Sequence, residues 1–465
     1  MRDSMLRASR VKFVHATVSL AVVIFWVALS TAQTVKEVVV FTGDNELGTP
    51  GDILAEGRNA EIYGTCPNVN DTDGSIFSLT PSGNITNLYT FNFTTGAAPS
   101  AGLSLATDGN FYGTASGGGT GRYGTLFRIS PQGTYTVLHN FLGGSDGAGP
   151  EAAPIEASDG NFYGTTSGAS GIFFSTVYKY TRSGTYATIY QFDNAQGESI
   201  GAPLVQGSDG NLYGTANQGG AAKNGSIYKL STSGTLLYLY SFPGGKYGEF
   251  PSGLIQASDG NFYGTTSYGG TTGRYGTVFK MDQLGEVSIL YKFKGSSDGS
   301  RPTAGVMQAT DGNLYGTTSA RGANGYGSIF QLSLTGKFKL LYSFPAAIGQ
   351  NPSGLVQHTN GLFYGSLQLG STYGYGTIYS LDMGLGPFIT FVRSIGKVGQ
   401  TVEILGHALE GTTEVTFNGV PASSFTVVSE TYMTAVVPSG ATTGPMVVTT
   451  QSGALTSNKA FRILE

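Results

Sequence analysis

Short apolar stretches alternate with glycine-rich polar turns along most of this chain, and one phrase marks the rhythm. Residues 157–167 read ASDGNFYGTTS, and residues 257–267 repeat the same letters. In the unit 251–293, PSGLIQAS, NFYGTTS, GTVFKM and VSILYKF have strand patterns, and DGN, YGGTTGRYG and DQLG lie between them. Asp-Gly and Gly-Asn steps favour tight turns because they tolerate positive φ. Each unit therefore predicts four strands and no helix.

The phrase occurs seven times with a nearly constant period. Its tyrosines are separated by 49 to 52 residues and are Tyr63, Tyr112, Tyr163, Tyr213, Tyr263, Tyr315 and Tyr364. Four strands in a repeat of about 50 residues are typical of a β-propeller blade. A parallel β-helix is the alternative, but its coils would be shorter and more uniform. We expect the Tyr and Phe of FYGT to fill the space between blades, and the Gly to let neighbouring backbones approach.

The two ends of the repeat region complement each other. The seventh unit stops after its third strand, TIYSLDM (377–383), whereas VKEVVVF (35–41) resembles the fourth strand of the other units. A first strand, GDILAE (51–56), follows it. The sequence therefore predicts an all-β protein with a seven-bladed β-propeller over residues 33–384. In this fold the N-terminal strand closes the last blade and leaves no open sheet edge.

The pattern changes after the last repeat. Residues 385–465 contain about seven alternating runs separated by Gly, Pro and Ser turns, which predict a small β-sandwich. The order V-x-I-x-G, V-x-F-N-G and V-P-x-G resembles the IPT/TIG immunoglobulin-like domain. That resemblance implies an Ig-like β-sandwich that serves as an adhesive or spacing module.

The repeats also resemble a known family. DGNFYGT, the following YGTVFK and the LYSF–PSGL junction recur in order over residues 35–382. They are similar to the GloVer tandem repeat of bacterial exported proteins of the choice-of-anchor type. The resemblance implies an exported protein of unknown biochemical role, and it supplies no catalytic residue.

The first 32 residues have the pattern of a signal peptide. Arg2, Arg7, Arg10 and Lys12 precede the apolar run SLAVVIFWVAL (19–29), and small residues follow at 30–32. An uncleaved anchor is the alternative, but the run is short for a membrane span. We expect a secreted, extracytoplasmic protein with no membrane span in the mature chain.

Composition narrows the function further. The chain has one cysteine, Cys66, so no internal disulfide is possible. The net charge is −4 and no basic stripe runs along the strands, which argues against a nucleic-acid partner. His139 and His358 lie on different strand types of non-adjacent units, and the acidic loop 70–75 lacks the outer ligands of a calcium loop. We expect no metal, no cofactor and a monomer.

Two glutamates raise the question of paired-acid catalysis. Glu56 and Glu156 occupy one position of the first strand that elsewhere holds Gln or Leu. Glycoside hydrolysis needs carboxyl groups about 5–9.5 Å apart, and two blades of separation exceeds this. We therefore expect a polar ring at the strand ends and assign no catalytic residue.

The long and variable loops point to where a ligand would bind. Loops between the second and third strands, and between the fourth strand and the next unit, emerge on one face of a propeller, opposite the short DGN turns. Loops on a rigid scaffold commonly carry function, and Tyr and Arg suit sugar or protein contacts. The candidate ligand-binding residues on this face are Arg122, Tyr123, Arg274, Tyr275, Tyr326, Tyr373, Tyr375, Asp146 and Asp298.

Taken together, the sequence favours a non-enzymatic binding or adhesion protein whose partner is an extracellular glycan or protein. The alternative is an extracellular enzyme that acts on polysaccharide, a glycosidase or lyase, on the same face. A purely structural envelope component is a third possibility.

Overall fold

The computed structural model describes residues 33–43, 47–51, 53–67, 73–168, 174–193 and 196–464, so the predicted signal peptide lies outside the described residues. The fold is all-β, and the helices of the described part are two 3₁₀ turns, Gly144–Asp146 and Gly245–Tyr247. Neither is long and apolar enough to cross a membrane.

Each repeat forms one four-stranded antiparallel sheet, and the described residues contain seven such sheets, numbered here 1 to 7 in the order of their first strands. Sheets 1 to 3 comprise Ala55–Glu56, Ile62–Cys66, Ser75–Leu79 and Ile85–Thr90; Leu103–Leu105, Phe111–Ala115, Thr125–Ile129 and Tyr135–Asn140; Ile155–Glu156, Phe162–Thr166, Thr176–Tyr180 and Tyr186–Gln191. Sheets 4 to 6 comprise Val205–Gln206, Leu212–Ala216, Ser226–Leu230 and Leu236–Ser241; Glu249–Gln256, Phe262–Tyr268, Thr277–Met281 and Val287–Lys292; Met307–Gln308, Leu314–Thr318, Ser328–Leu332 and Phe338–Ser343.

Sheet 7 contains strands from both ends of the repeat region. It comprises Gln350–Gln357, Phe363–Leu369, Thr377–Asp382 and, as its outer strand, Thr34–Val40. Val35 pairs with Leu381 and Val40 with Thr377 in an antiparallel ladder that carries a bulge after Glu37. The outer edge of this sheet is thereby paired by the start of the described chain.

Aromatic side chains of the FYGT phrase join consecutive sheets. Tyr63 of sheet 1 stacks on Phe111 of sheet 2 with ring centroids 4.1 Å apart. Tyr213 of sheet 4 stacks in the same way on Phe262 of sheet 5. Tyr364 of sheet 7 packs with Ile62 of sheet 1, so the last sheet contacts the first. This is the packing role that the sequence predicts for these aromatics.

The glycine of the phrase has a role different from the one expected from sequence. A Cβ on Gly64 would overlap the ring of Phe77, and one on Gly164 would overlap the ring of Tyr178. Each ring comes from the third strand of the same sheet, where it lies across the glycine. The glycine therefore makes room for a side chain within its own sheet, rather than for the backbone of a neighbouring sheet.

Glu or Gln occupies one position of the first strand in every sheet except sheet 2, and these side chains form hydrogen bonds to the neighbouring sheet. Gln256 accepts a hydrogen bond from the backbone N–H of Ser208 at 2.7 Å, and Glu56 accepts one from Thr359 at 2.9 Å. The second of these bonds connects sheet 1 to sheet 7. Leu105 cannot form such a bond, and at that junction Arg58 donates instead to the carbonyl oxygen of Thr107 at 2.8 Å.

Residues after 387 form two further sheets. One has the order Thr390–Phe391, Thr401–Leu405, Tyr432–Val436 and Ser424–Ser429; the other has Ile395–Lys397, Gly453–Leu464, Gly444–Thr450, Glu414–Phe417 and Val420–Pro421. Their inner faces share one hydrophobic core that includes Ile404, Val415, Met433 and Phe461.

This C-terminal part rests on the DGN-turn end of the repeat sheets. The guanidinium of Arg58 lies over the ring of Tyr432 at 4.3 Å, and Thr431 donates to the carbonyl oxygen of Arg58 at 2.7 Å. Arg462 donates to the carbonyl oxygen of Gly207 at 3.1 Å. Arg393 lies 3.7 Å from Glu156. The contacts reach sheets 1, 3 and 4, and they leave the long-loop end of the sheets uncovered by these residues.

Candidate functional site

A cavity of about 530 Å³ lies between the first strands of the repeat sheets and the segments that lead into them. All seven sheets contribute to its lining, from Ile53 of sheet 1 to Leu355 of sheet 7. The first strands begin at the long-loop end and finish at the DGN turns, where the C-terminal part rests. The lining comes from their beginnings, so the cavity is at the long-loop end.

One position of the repeat supplies a ring of side chains to this cavity. It is the residue after the proline that introduces the first strand (Ile200 takes the place of the proline in sheet 4), and in sheets 2 to 7 it is Ser100, Glu151, Gly201, Ser252, Thr303 and Ser353. Glu151 is the single carboxylate among the described residues that line the cavity. The scaffold thus places one acid where the other repeats carry a hydroxyl or no side chain.

The surroundings of Glu151 combine access to solvent with close contact to protein. Its side chain is exposed to the cavity, yet a Cβ on Gly201 would lie only 2.7 Å from its Oε2. Gly201 therefore gives the carboxylate room to lie against sheet 4. Burial by the surrounding protein raises the pKa of Glu151 above 4.5, and a hydrogen bond from Ser167 opposes that shift. A carboxylate with a raised pKa is a stronger base than one in free solution.

Polar groups of sheet 4 lie in the same lining as Glu151. Ser199, Asn217 and Gln218 provide one hydroxyl and two amide groups. Thr215 also lines the cavity, and its buried hydroxyl has no hydrogen-bond partner among the described residues. The equivalent threonines of sheets 2, 5 and 6 do have partners, as when Thr317 donates to the carbonyl oxygen of Ser353 at 2.7 Å, whereas Thr65 and Thr165 resemble Thr215. Sheet 4 therefore offers donors that could orient a bound carbonyl or hydroxyl group.

The residues predicted from sequence to bind a ligand lie in the loops, and none of them is among the described residues that line this cavity. Tyr123, Tyr275 and Tyr375 are partly buried and pack against hydrophobic clusters of their sheets. Arg274 forms an ion pair with Glu249. These four side chains help to hold the loops in place.

Each of the two predicted aspartates accepts a hydrogen bond from a backbone N–H of its own loop. Asp146 accepts the backbone N–H of Leu142 at 2.8 Å and lies 3.0 Å from Nε2 of His139. Asp298 is buried and accepts hydrogen bonds from Tyr291 Oη and from the backbone N–H of Lys294, both at 2.9 Å.

The remaining three members of the set, Arg122, Tyr326 and Tyr373, are exposed on the loops. The structure does not bring the nine residues into one site. A ligand-binding role for them stays a prediction.

Glu56 and Glu156 lie at the opposite end of the first strands from the cavity. Each accepts hydrogen bonds from a threonine of the neighbouring sheet, and Glu156 also pairs with Arg182 at 2.6 Å. Burial raises the pKa of Glu56, with His358 acting in the opposite direction. Both carboxylates are thus committed to junctions between sheets.

Sequence reasoning missed Glu151, although a signal for it was present. Aligned on the proline, PSGLIQ, PTAGVMQ and PSGLVQ correspond to PEAAPIE (150–156), so the glutamate departs from the repeat. A residue that every repeat shares serves the scaffold, whereas a single departure is free to serve a site.

Several solved structures are similar to the chain in fold. The periplasmic gluconolactonase PpgL of Pseudomonas aeruginosa is 16% identical over 68% of this chain and 94% of its own, with a TM-score of 0.45. A gluconolactonase of Xanthomonas campestris is 12% identical over 75% and 89%, with a TM-score of 0.36. A fungal alcohol oxidase is 14% identical over 90% and 100%, with a TM-score of 0.46. No curated protein matches the sequence.

These structures contradict the expectation of a non-enzymatic binding or adhesion protein. The gluconolactonases among them are enzymes, so they accord better with the alternative expectation, an enzyme. At identities this low the likeness shows the all-β, propeller-like fold alone, and no activity is carried over from it.

The family of the chain follows from its repeats. A model of the Gloeobacter/Verrucomicrobia repeat matches three times, over residues 49–251, 142–309 and 206–426. These are the residues that fold into the repeat sheets and continue into the C-terminal part. The matches together cover well over half of the sequence, and the chain therefore belongs to the Gloeobacter/Verrucomicrobia repeat family.

Proposed function

We propose that the chain is a hydrolase that cleaves an ester or lactone in the cavity at the long-loop end, with Glu151 as general base. The observation that carries the proposal is the single carboxylate of the lining, whose pKa is raised by the surrounding protein. A raised pKa makes this carboxylate a stronger base than a free glutamate, which favours its accepting a proton from water.

The number of carboxylates decides between classes of hydrolysis. Cleavage of a glycosidic bond by the usual mechanism needs two carboxyl groups that flank it. Hydrolysis of an ester or lactone needs one base and donors for the oxygen that becomes negatively charged. The described lining offers Glu151 together with the amides of Asn217 and Gln218, which fits the second chemistry.

In the proposed reaction, Glu151 accepts a proton from a water molecule as the water oxygen bonds to the carbonyl carbon. Amide N–H groups of Asn217 and Gln218 donate to the developing oxyanion. The bond from the carbonyl carbon to the leaving oxygen then breaks, and that oxygen takes the proton from Glu151. The products are a carboxylic acid and an alcohol, which for a lactone are parts of one hydroxy acid.

The architecture that supports this proposal is a closed ring of seven blades. Contacts between consecutive sheets, the Glu56–Thr359 bond between sheets 1 and 7, and the shared cavity lining all accord with it. We also propose that residues 385–465 are an Ig-like IPT/TIG sandwich, and that the protein is exported by its N-terminal leader. The two C-terminal sheets around one core support the first of these, and the charge and apolar pattern of residues 1–32 supports the second.

The test compares hydrolysis of D-glucono-1,5-lactone and simple esters by the natural protein and by the Glu151→Gln variant. Loss of the base should lower kcat by about a hundredfold or more, because general-base catalysis typically contributes 10²–10⁴-fold. The matched control is Glu156→Gln, which removes the carboxylate at the far end of the same segment, 150–156, and leaves the residue that sheets 4 to 7 carry there. Equal rates for Glu151→Gln and the natural protein would overturn the proposal.

A further inference from the structure

The segments that enter the cavity carry a second ring of residues, held in an unusual backbone conformation. In each repeat this is the residue directly before the proline, or before Ile200 in sheet 4. In five sheets it has positive φ although it is not glycine: Ala98, Ser199, Phe250, Arg301 and Asn351, with φ of 52° to 59°. In sheet 3 the position is Gly149. Left-handed conformations cost roughly 1–2 kcal/mol per non-glycine residue and persist where the surroundings impose them.

The same two backbone hydrogen bonds impose this conformation in several repeats. Arg301 donates to the carbonyl oxygen of Tyr275 at 2.9 Å and accepts from the N–H of Ser319 at 2.9 Å. Gly149 makes the equivalent bonds to Tyr123 and Ser167. The backbone of the ring is therefore constant, whereas its side chains differ in size, polarity and charge from sheet to sheet.

This ring borders the cavity. Ser199 itself belongs to the lining, and in sheet 6 the lining begins at Thr303, two residues after Arg301. Sheets 3 and 6 are three steps apart in a sequence of seven, so Arg301 and Glu151 belong to opposite sides of the proposed ring. A substrate would have to span the opening to contact both side chains.

Arg301 is oriented by an aromatic ring but has no polar partner. Its guanidinium lies over the ring of Tyr268 at 5.1 Å, and Phe250 packs edge-on against the same ring at 5.6 Å. The side chain is exposed and makes no hydrogen bond or ion pair with a described residue. Nearby Glu249 is already engaged, by Arg274 and by the N–H of Gly245. The N–H donors of Arg301 thus have no polar partner among the described residues.

We infer that Arg301 is a specificity-determining residue that binds an anionic group, a carboxylate or a phosphate, of the substrate hydrolysed at Glu151. A guanidinium that lies over Tyr268 without a polar partner keeps its N–H groups for such oxyanions, which arginine can bind in a bidentate manner. The inference rests on the proposed hydrolase function for the reaction, and on the free guanidinium for the choice of substrate.

The test uses two lactones that differ by one phosphate group, D-glucono-1,5-lactone and its 6-phosphate. Arg301→Gln should lower kcat/KM for the phosphorylated lactone by about tenfold to a hundredfold, the equivalent of losing a charge-assisted hydrogen bond. It should leave kcat/KM for the neutral lactone within about twofold, and Arg301→Lys should recover part of the loss. The matched control is Arg321→Gln, which removes an exposed arginine that also has positive φ, at 61°, and also lies over an aromatic ring, that of Tyr275 at 4.8 Å, but belongs to a different loop.

A second measurement separates failure of this inference from failure of the proposed function. Binding of inorganic phosphate, followed by calorimetry, should be present in the natural protein and in Glu151→Gln, and absent in Arg301→Gln. If Glu151→Gln keeps full activity while phosphate binding depends on Arg301, the hydrolase proposal fails and the anion site stands. If phosphate binds equally well to Arg301→Gln, or if both lactones lose rate equally, the inference about Arg301 is overturned.

Discussion

At the scale of single residues, the repeats reveal which side chains serve the scaffold. The third strand carries an aromatic residue over the FYGT glycine, and it is Phe in four sheets and Tyr in Tyr178, Tyr228 and Tyr379. These three hydroxyls are buried without a hydrogen-bond partner among the described residues. The tyrosine of FYGT differs, because Tyr263 donates to Oδ2 of Asp259 at 2.8 Å. The hydroxyl of Tyr263 thus has a hydrogen-bond partner, whereas that of Tyr228 is buried without one among the described residues.

Replacing each of these tyrosines by phenylalanine should therefore shift stability in opposite directions. Tyr228→Phe should raise the free energy of unfolding by about 1 kcal/mol, because it removes an unsatisfied buried hydroxyl. Tyr263→Phe should lower it by about 1 kcal/mol, because it removes a hydrogen bond to a carboxylate. Urea unfolding followed by fluorescence measures both. A loss of stability in Tyr228→Phe would show that its hydroxyl has a partner that the account omits.

At the scale of strands and sheets, the Glu and Gln side chains of the first strands form hydrogen bonds that join neighbouring sheets. Gln357 of sheet 7 accepts the N–H of Thr310 and donates to its hydroxyl, both at 3.0 Å. Glu56 uses its two carboxylate oxygens for the equivalent N–H and hydroxyl of Thr359. The position tolerates Gln or Glu because either side chain can accept the backbone N–H, which a leucine cannot.

Gln357→Ala should therefore lower the free energy of unfolding by roughly 1–3 kcal/mol, since the partly buried N–H of Thr310 loses its acceptor. The matched variant Gln357→Glu keeps the acceptor and should lose less. Thermal unfolding of the two variants side by side gives the comparison. If alanine and glutamate were equally damaging, the hydrogen bond between sheets would not be the source of the stability.

At the scale of the whole molecule, the C-terminal part, sheet 1 and sheet 7 meet around one buried acid. Burial raises the pKa of Glu56, while His358 and, from the C-terminal part, His407 favour its charged form. The folded state therefore binds the proton of Glu56 more tightly than the unfolded chain does, whose pKa is 4.5. This contribution to stability is present below pH 4.5 and is lost as the pH rises through the folded-state pKa.

The free energy of unfolding of Glu56→Gln, relative to that of the natural protein, should consequently increase as the pH rises above 4.5. Glutamine can keep the bond to Thr359, because Gln357 forms the same bond to Thr310. Midpoints of thermal unfolding between pH 4 and pH 7 provide the measurement, with Gln357→Glu as the reverse change at the neighbouring junction. A stability difference that does not change with pH would mean that Glu56 has the same pKa in both states.

The sequence indicates much of the fold but only part of the site. Strand positions follow from the local alternation of apolar and polar residues, which any one unit displays. The fourth strand at residues 35–41 follows from comparing the units with one another. The contact of Arg58 with Tyr432 joins residues far apart in the chain, and no local pattern indicates it. Glu151 is an exception within the repeat that the sequence displays, but its raised pKa comes from burial in the folded chain, where Gly201, fifty residues away in sequence, lies against its carboxylate.

The pH dependence of kcat/KM for D-glucono-1,5-lactone, corrected for its spontaneous hydrolysis, shows whether Glu151 is the base of a hydrolase. Since a general base must be deprotonated, activity should rise with pH through a pKa above 4.5 and then level off. In Glu151→Gln this step should be absent from the residual activity. A profile without the step in the natural protein, or the same step in both proteins, would contradict the account.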